Sequence, residues 1–196
     1  MIENDTSTAD IRRPQQRYRL KKAVALVGMM GAGKTAVGRA VALKIDVPFL
    51  DSDAEIEAAA NLSVPEIFQR DGEAFFRKRE TEVIRRLLKT QKGILSTGGG
   101  AYLAQVNRDN ISTTGVALWL DASLDLLWSR VRHKDTRPLL RTSDPRATLA
   151  EIFAMRTPVY RLAELHVDCA PELSIDDMAE RVIAMLLTRT DVMERV

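Results

Sequence analysis

A single cysteine among 196 residues excludes an internal disulfide, so the chain must fold without a covalent cross-link. Cys169 follows Val167-Asp168 at an expected strand end, where packing is its natural role, and an unpaired thiol suits a cytoplasmic setting. No apolar run approaches the roughly 18 residues of a bilayer span, and the first twenty residues lack the apolar segment of a secretory signal, so no membrane partner is expected. Of the two histidines, His133 has no partner at metal-ligand spacing and His166 has no visible catalytic partner. The formal charge is only +2, which gives no electrostatic case for nucleic acid. Residues 1–21 form a polar leader ending in a basic run. Without interleaved aromatics or a binding fold, they read as a solvated, disordered arm.

The remainder is long enough for one domain with a substantial core, expected over residues 22–190, with a frayed tail at 191–196. Its strongest signal is the valine-rich run Ala23-Val-Ala-Leu-Val27, followed by Gly28-Met-Met-Gly-Ala-Gly-Lys-Thr35 and then by helical spacing over residues 36–44. Gly28, Gly33, Lys34 and Thr35 satisfy Gly-x-x-x-x-Gly-Lys-[Ser/Thr] in its strand–loop–helix setting. Glycines let successive N–H groups curl around an anion, and the following helix adds its N-terminal dipole. Lys34 is placed to reach terminal phosphates and the Thr35 hydroxyl to ligate Mg²⁺. This is a nucleotide phosphate site.

Further strands are expected at residues 47–50, 92–97, 115–120 and 165–168, alternating with helices. The second ends in Asp51-Ser-Asp53, two carboxylates at the strand end where open α/β sheets bind ligands; Asp53 is also a candidate cap for the helix at 54–60. Ser63-Val-Pro-Glu66 opens a helix that reaches Asp71-Gly72, and a second, amphipathic helix runs from Glu73 to Leu88 or Lys89. Arg77 follows two phenylalanines and can emerge from an apolar wall. The third strand runs into Gly98-Gly-Gly100, which permits close backbone approach to a ligand. Trp119 and Trp128 read as core residues. Residues 133–145 break periodicity and carry Lys134, Arg137 and Arg141, a candidate lid over phosphates. Pro158 is expected to bend or unwind a helix over 146–163, and a last helix is expected over 174–189. The pattern defines a three-layer α/β/α sandwich with a five-stranded parallel sheet, its glycine loops and acidic pair on one rim.

Over residues 22–187 the chain resembles the shikimate kinases. The resemblance rests on the phosphate loop with Gly38-Arg39, Asp51-Ser-Asp53, Asp71-Gly-Glu-x-x-Phe-Arg77, and Ser96-Thr-Gly-Gly-Gly-Ala101. It continues through Arg137-Pro-Leu-Leu140, Met155-Arg-Thr-Pro-Val-Tyr160, Ala163 and Asp168. It implies the fold of nucleoside-monophosphate kinases, with sheet order 2-3-1-4-5, and transfer of the ATP γ-phosphoryl group to the 3-hydroxyl of shikimate. By resemblance, Asp53 binds the shikimate hydroxyls and is the candidate base, Arg77 and Arg156 hold the carboxylate, and Gly99 adds a backbone contact. Gly31, Ala32, Gly33, Lys34, Thr35 and Ala36 bind the nucleotide, joined by Arg137 from the lid. Mg²⁺ is the implied cofactor, bound by Thr35 directly with Asp51 in its outer shell, and ATP and shikimate are the implied partners of a monomer. Thr35 stands where a serine is common and Val159 where a leucine is frequent; both swaps keep the relevant chemistry. No arginine follows the fifth strand to contact adenine, since Cys169-Ala-Pro-Glu-Leu173 stands there. A gluconate kinase, a nucleoside-monophosphate kinase and a non-catalytic ATP-dependent switch are the competing readings. None of them calls for Asp53, Arg77, Gly99 and Arg156 together.

Overall fold

The computed structural model describes residues 18–133 and 138–196. Strand β2 (Ala23–Val27) is buried at all five positions, the pattern of a strand covered on both faces. It pairs in parallel with β4 (Ile94–Ser96) on one side and β5 (Gly115–Ala122) on the other. The edges are β3 (Phe49–Asp51) and β6 (Leu165–Cys169). The order β3-β4-β2-β5-β6 is the expected 2-3-1-4-5 once a short strand ahead of β2 is discounted. Register aligns Asp51 with Ser96, and Leu26 with both Ser96 and Leu118, so these strands bring their C-terminal ends to one rim.

Helices α1 (Lys34–Lys44) and α7 (Ile175–Leu187) pack on each other, as do α3 (Val64–Thr90) and α4 (Gln105–Thr114). Helix α2 (Ser52–Ala60) lies against α3, and α5 (Leu124–Val131) against α6 (Pro145–Tyr160). Ile56, Ile67 and Phe76 form a small core under the α2–α3 lobe, separate from the main one. Ser63 and Glu66 make the expected capping box. The two helices expected on either side of Gly72 are both present within the α3 span and meet there at a kink, where Gly72 takes a non-helical conformation with φ 83. Trp119 is buried and Trp128 packs partly buried against the main core, as expected. Residues 101–114, which carry no clear periodicity, form a 3₁₀ turn (Ala101–Leu103) and α4; Asn107, fully buried, locks the two by donating to the Ala101 carbonyl at 2.9 Å.

Three expectations need correction. Asp51, not Asp53, caps α2: its Oδ1 accepts from the backbone N–H of Asp53 and Ala54. Pro158 does not unwind α6, which keeps helical geometry through it to Tyr160 although its missing N–H removes one i→i−4 bond from the ladder. The tail is not frayed. Strand β7 (Met193–Arg195) pairs antiparallel with β1 (Tyr18–Leu20), which lies inside the span read as a disordered leader. Val192 and Met193 are fully buried, and the basic run meets acidic partners in the tail: Arg19 and Lys21 pair with Glu194, and Lys22 with Asp191. Each segment alone looks solvated; the apolar contacts and complementary charges exist only between them. The rest of the leader, residues 1–17, lies outside the described residues.

Candidate active site

The phosphate loop owes its shape to its glycines. Gly28, Gly31 and Gly33 all have positive φ (137, 84 and 99). At Gly28 a side chain is doubly excluded, since a Cβ would lie 2.9 Å from the Leu120 carbonyl. Gly33 precedes α1 and offers it no side-chain cap, so N–H groups of the first turn remain available to an anion. Lys34 Nζ folds back over the loop, donating to the carbonyls of Gly28 (2.8 Å) and Met29 (3.0 Å). The Thr35 hydroxyl donates to Asp51 Oδ2 at 3.1 Å and lies 3.2 Å from Ser96 Oγ. These are hard oxygen donors, the kind Mg²⁺ takes alongside water and substrate phosphates.

A cleft of about 490 Å³ opens over this loop. The expected nucleotide residues Gly31, Ala32, Gly33, Lys34, Thr35 and Ala36 line it, together with Asp51, Asp53 and Gly99. Its other lining residues include Arg130 from α5, which the sequence reading passed over, and Leu173, Ser174, Ile175 and Met178 around the start of α7, next to the segment where an adenine contact was in question. Arg130 Nη1 donates to the carbonyls of Gly31 and Ala32, both at 3.2 Å, bracing the loop from the side. Arg137 and Lys134 of the expected lid lie outside the described residues.

The acceptor side is built around Gly98-Gly-Gly100. The glycines do admit close approach, but by the protein's own side chains. A Cβ on Gly98 would sit 2.8 Å from Asp53 Oδ1 and 2.9 Å from Glu80 Oε1; one on Gly100 would strike the Arg77 guanidinium. Arg77 lies over Phe68 and Phe76, its guanidinium carbon 5.8 and 5.3 Å from their ring centroids; of the two phenylalanines that precede it in sequence only Phe76 contributes, since Phe75 is exposed and pairs with Arg79. It donates to Glu73 and, through Nη1, to Glu80 Oε2 at 2.9 Å. Arg156 reaches the Gly99 carbonyl at 3.5 Å, and Tyr160 also donates to that oxygen. Arg77 and Arg156 thus reach successive glycines, Gly100 and Gly99, beside the cleft that Asp53 lines.

Glu80 is the acceptor-side residue the sequence reading missed. It is fully buried on α3, one helical turn after Arg77, and that i,i+3 spacing was the available signal. Glu80 Oε1 and Asp53 Oδ1 are both buried without a hydrogen-bond partner, a costly state for a carboxylate. Burial pushes the Asp53 carboxyl above its ordinary value; the Asp51 charge adds to this, and Lys34 and Arg77 oppose it. Burial likewise raises Glu80, against the pull of Arg77. For Arg77, burial works against the charge, but Glu80 and Glu73 outweigh it and strengthen the guanidinium's hold on its proton. The Cys169 thiol is pushed up to about 11, chiefly by burial, in keeping with a packing role.

A parallel sheet of this order, a phosphate loop on its rim and an acid with two arginines across the cleft define a phosphate-loop small-molecule kinase. A family model described as "Shikimate kinase" matches residues 30–187. A shikimate kinase of Ruegeria pomeroyi is 64% identical over 175 residues, covering 89% of this chain and 90% of its own length. One from Cereibacter sphaeroides is 57% identical over 180 residues, covering 92% and 90% respectively. Among solved structures, the shikimate kinase from Acinetobacter baumannii in complex with shikimate superposes with a TM-score of 0.80 at 35% identity, covering 85% of this chain and 93% of that one. The chain belongs to the shikimate kinase family, and it is an ATP-dependent kinase.

Proposed function

We propose that this cleft transfers the γ-phosphoryl group of ATP to the 3-hydroxyl of shikimate by in-line displacement. The observation that carries this reading is the convergence of Asp53, Arg77 and Arg156 on the glycine run beside the phosphate loop. Shikimate is a small ring with one carboxylate and three hydroxyls, and arginine forks match a carboxylate bidentately. Arg77 and Arg156 hold that carboxylate, with Gly99 in backbone contact. The ring hydroxyls then fall to Asp53, whose unpartnered Oδ1 is an acceptor in want of a proton donor.

In the reaction the 3-hydroxyl oxygen forms the new bond to the γ-phosphorus while its proton passes to Asp53. The bond from γ-phosphorus to the bridging oxygen breaks, and ADP leaves with the electron pair. Phosphoryl transfer asks mainly for alignment and charge neutralisation, which Lys34 and Arg137 supply around the phosphates, with the loop N–H groups. Mg²⁺ fits the Thr35–Asp51 oxygen pair, Thr35 directly and Asp51 through water, and when bound it would neutralise phosphate charge. Arg137, which lies outside the described residues, is assigned to the nucleotide phosphates by the resemblance. The base end of ATP rests against Arg130 and the start of α7, so no arginine after β6 is needed.

Among the described residues no helix is long and apolar enough to cross a membrane. A cytoplasmic setting, a monomeric state and ATP and shikimate as partners are part of the same proposal. The test is ADP release from Mg·ATP with shikimate, gluconate, AMP or no acceptor. Release that requires shikimate is expected; ATP binding without acceptor-dependent turnover, or turnover with another acceptor, would overturn the reading.

A further inference from the structure

Tyr160 ends α6 and is fully buried, yet it touches both halves of the cleft. Its hydroxyl donates to the Gly99 carbonyl and accepts from Arg156. Its ring stacks on that of Trp119 from β5, with centroids 6.3 Å apart and planes 25° from parallel. Trp119 in turn abuts the phosphate loop, its Cδ1 lying 3.2 Å from the point where a Gly28 side chain would begin. Gly99 faces the same loop directly. A Cβ there would lie 3.6 Å from the Met30 nitrogen and 3.8 Å from the Gly28 carbonyl oxygen, which Lys34 also holds. The hydroxyl thus grips the glycine run on the acceptor side, and the ring bears through Trp119 on the turn that cradles phosphates.

A buried tyrosine needs a partner for its hydroxyl, and packing alone would account for the ring. The choice of partner goes further. The other donor to the Gly99 carbonyl is Arg156, at 3.5 Å a long contact, and Arg156 is the fork that a substrate carboxylate engages. Once Arg156 turns to that carboxylate, Tyr160 is left holding the Gly99 peptide. Resting on the roles assigned above, we propose that Tyr160 is a positioning residue for the transfer step: it fixes Gly99 against the phosphate loop and so sets the distance from the acceptor hydroxyl to the γ-phosphorus. Phosphoryl transfer depends on alignment, and a misplacement of about 1 Å can cost about 10²-fold in rate. Without the Tyr160 hydroxyl, Arg77 and Arg156 still capture the acceptor, but its hydroxyl no longer rests at a fixed depth. The loss falls on turnover, and water gains a share of the γ-phosphoryl group.

The test is Tyr160→Phe, which keeps the ring and removes only the hydroxyl, assayed for both ADP and shikimate 3-phosphate. The variant should show a kcat about tenfold lower, with the KM for ATP unchanged and the shikimate KM within about threefold of wild type. Its ADP should exceed its shikimate 3-phosphate, the difference appearing as inorganic phosphate, whereas the wild-type products should match. Trp119→Phe, which shortens the ring system beside Gly28, should show the same split and the same excess of ADP. A Tyr160→Phe enzyme that only melts earlier, with wild-type kcat, KM values and product ratio, would make Tyr160 a packing residue and overturn the proposal. A rise in the shikimate KM alone would overturn it too, since the hydroxyl would then serve Arg156 and not the glycine run. Should Tyr160→Phe not fold, Trp119→Phe decides: a wild-type kcat with matched products overturns the proposal. Wild-type enzyme inert toward shikimate would instead bring down the functional reading, and the proposal with it.

Discussion

Thr35 Oγ1 donates to Asp51 Oδ2 at 3.1 Å, tying the first turn of α1 to the end of β3. The other Asp51 oxygen caps α2, so one carboxylate joins the phosphate loop to the helix that carries Asp53. Asp51→Ala should therefore have two separable effects. Loss of the cap should cost about 1 kcal/mol of stability, read by urea unfolding. Loss of the outer-shell partner should raise the Mg²⁺ concentration for half-maximal activity about 10- to 100-fold. Thr35→Ser should preserve both quantities and Thr35→Val should lose most turnover. A Mg²⁺ dependence unmoved in Asp51→Ala would remove Asp51 from the metal's surroundings.

Asp53 illustrates a functional group held at a cost to the fold. Because burial raises its proton affinity in the folded state, the folded chain binds a proton over a pH range in which the unfolded chain has released it. Stability therefore falls as pH rises through that range, from the ordinary carboxylate value to the raised one. Asparagine does not titrate. Ligand-free Asp53→Asn should melt at a higher temperature than wild type at pH 7, with the gap narrowing toward about pH 4. Its turnover should drop by about 10²- to 10⁴-fold while ATP binding persists. Equal melting temperatures across pH would mean that the buried charge carries no such cost.

The sheet was legible because each of its strands is a short apolar run followed by turn residues, and the phosphate loop because its spacing has one common physical meaning. Within the site, Asp53, Arg77, Gly99 and Arg156 could be named from motif and resemblance, and the fold brings them to adjoining positions along the glycine run. Glu80 and Arg130 were less visible. Each is one more charged residue on a helix, and only tertiary packing reveals that Glu80 is buried against Gly98 and that Arg130 meets two loop carbonyls. The same blindness explains the terminal strands, whose partners lie more than 170 residues apart.

Among the described residues Arg156 lies 3.5 Å from the Gly99 carbonyl and hydrogen-bonds the Tyr160 side chain, which leaves further N–H groups of its fork for a ligand. Lysine at this position would keep the charge and lose the fork. Arg156→Lys should raise the shikimate KM about tenfold, the order expected for one charge-assisted hydrogen bond, with a much smaller change in kcat. Because Tyr160 also holds the Gly99 carbonyl, the glycine run should stay in place, and the KM for ATP should not move. An unchanged shikimate KM would take Arg156 out of the carboxylate site.

The β1–β7 clasp lies outside residues 30–187, the span matched by the family model, and offers a stability element separable from catalysis. Met193 is fully buried, so Met193→Ala should cost about 2–4 kcal/mol through lost burial and the cavity left behind. For a domain of this size that corresponds to a fall in melting temperature of about 4–16 °C. Strand β1 leads through Lys21 and Lys22 into the N-terminal end of β2, whereas the cleft opens at the opposite, C-terminal rim. The folded fraction should therefore keep wild-type KM values for both substrates. A rise in the KM for ATP would show instead that the clasp sets the position of α7, whose first turn lines the nucleotide end of the cleft.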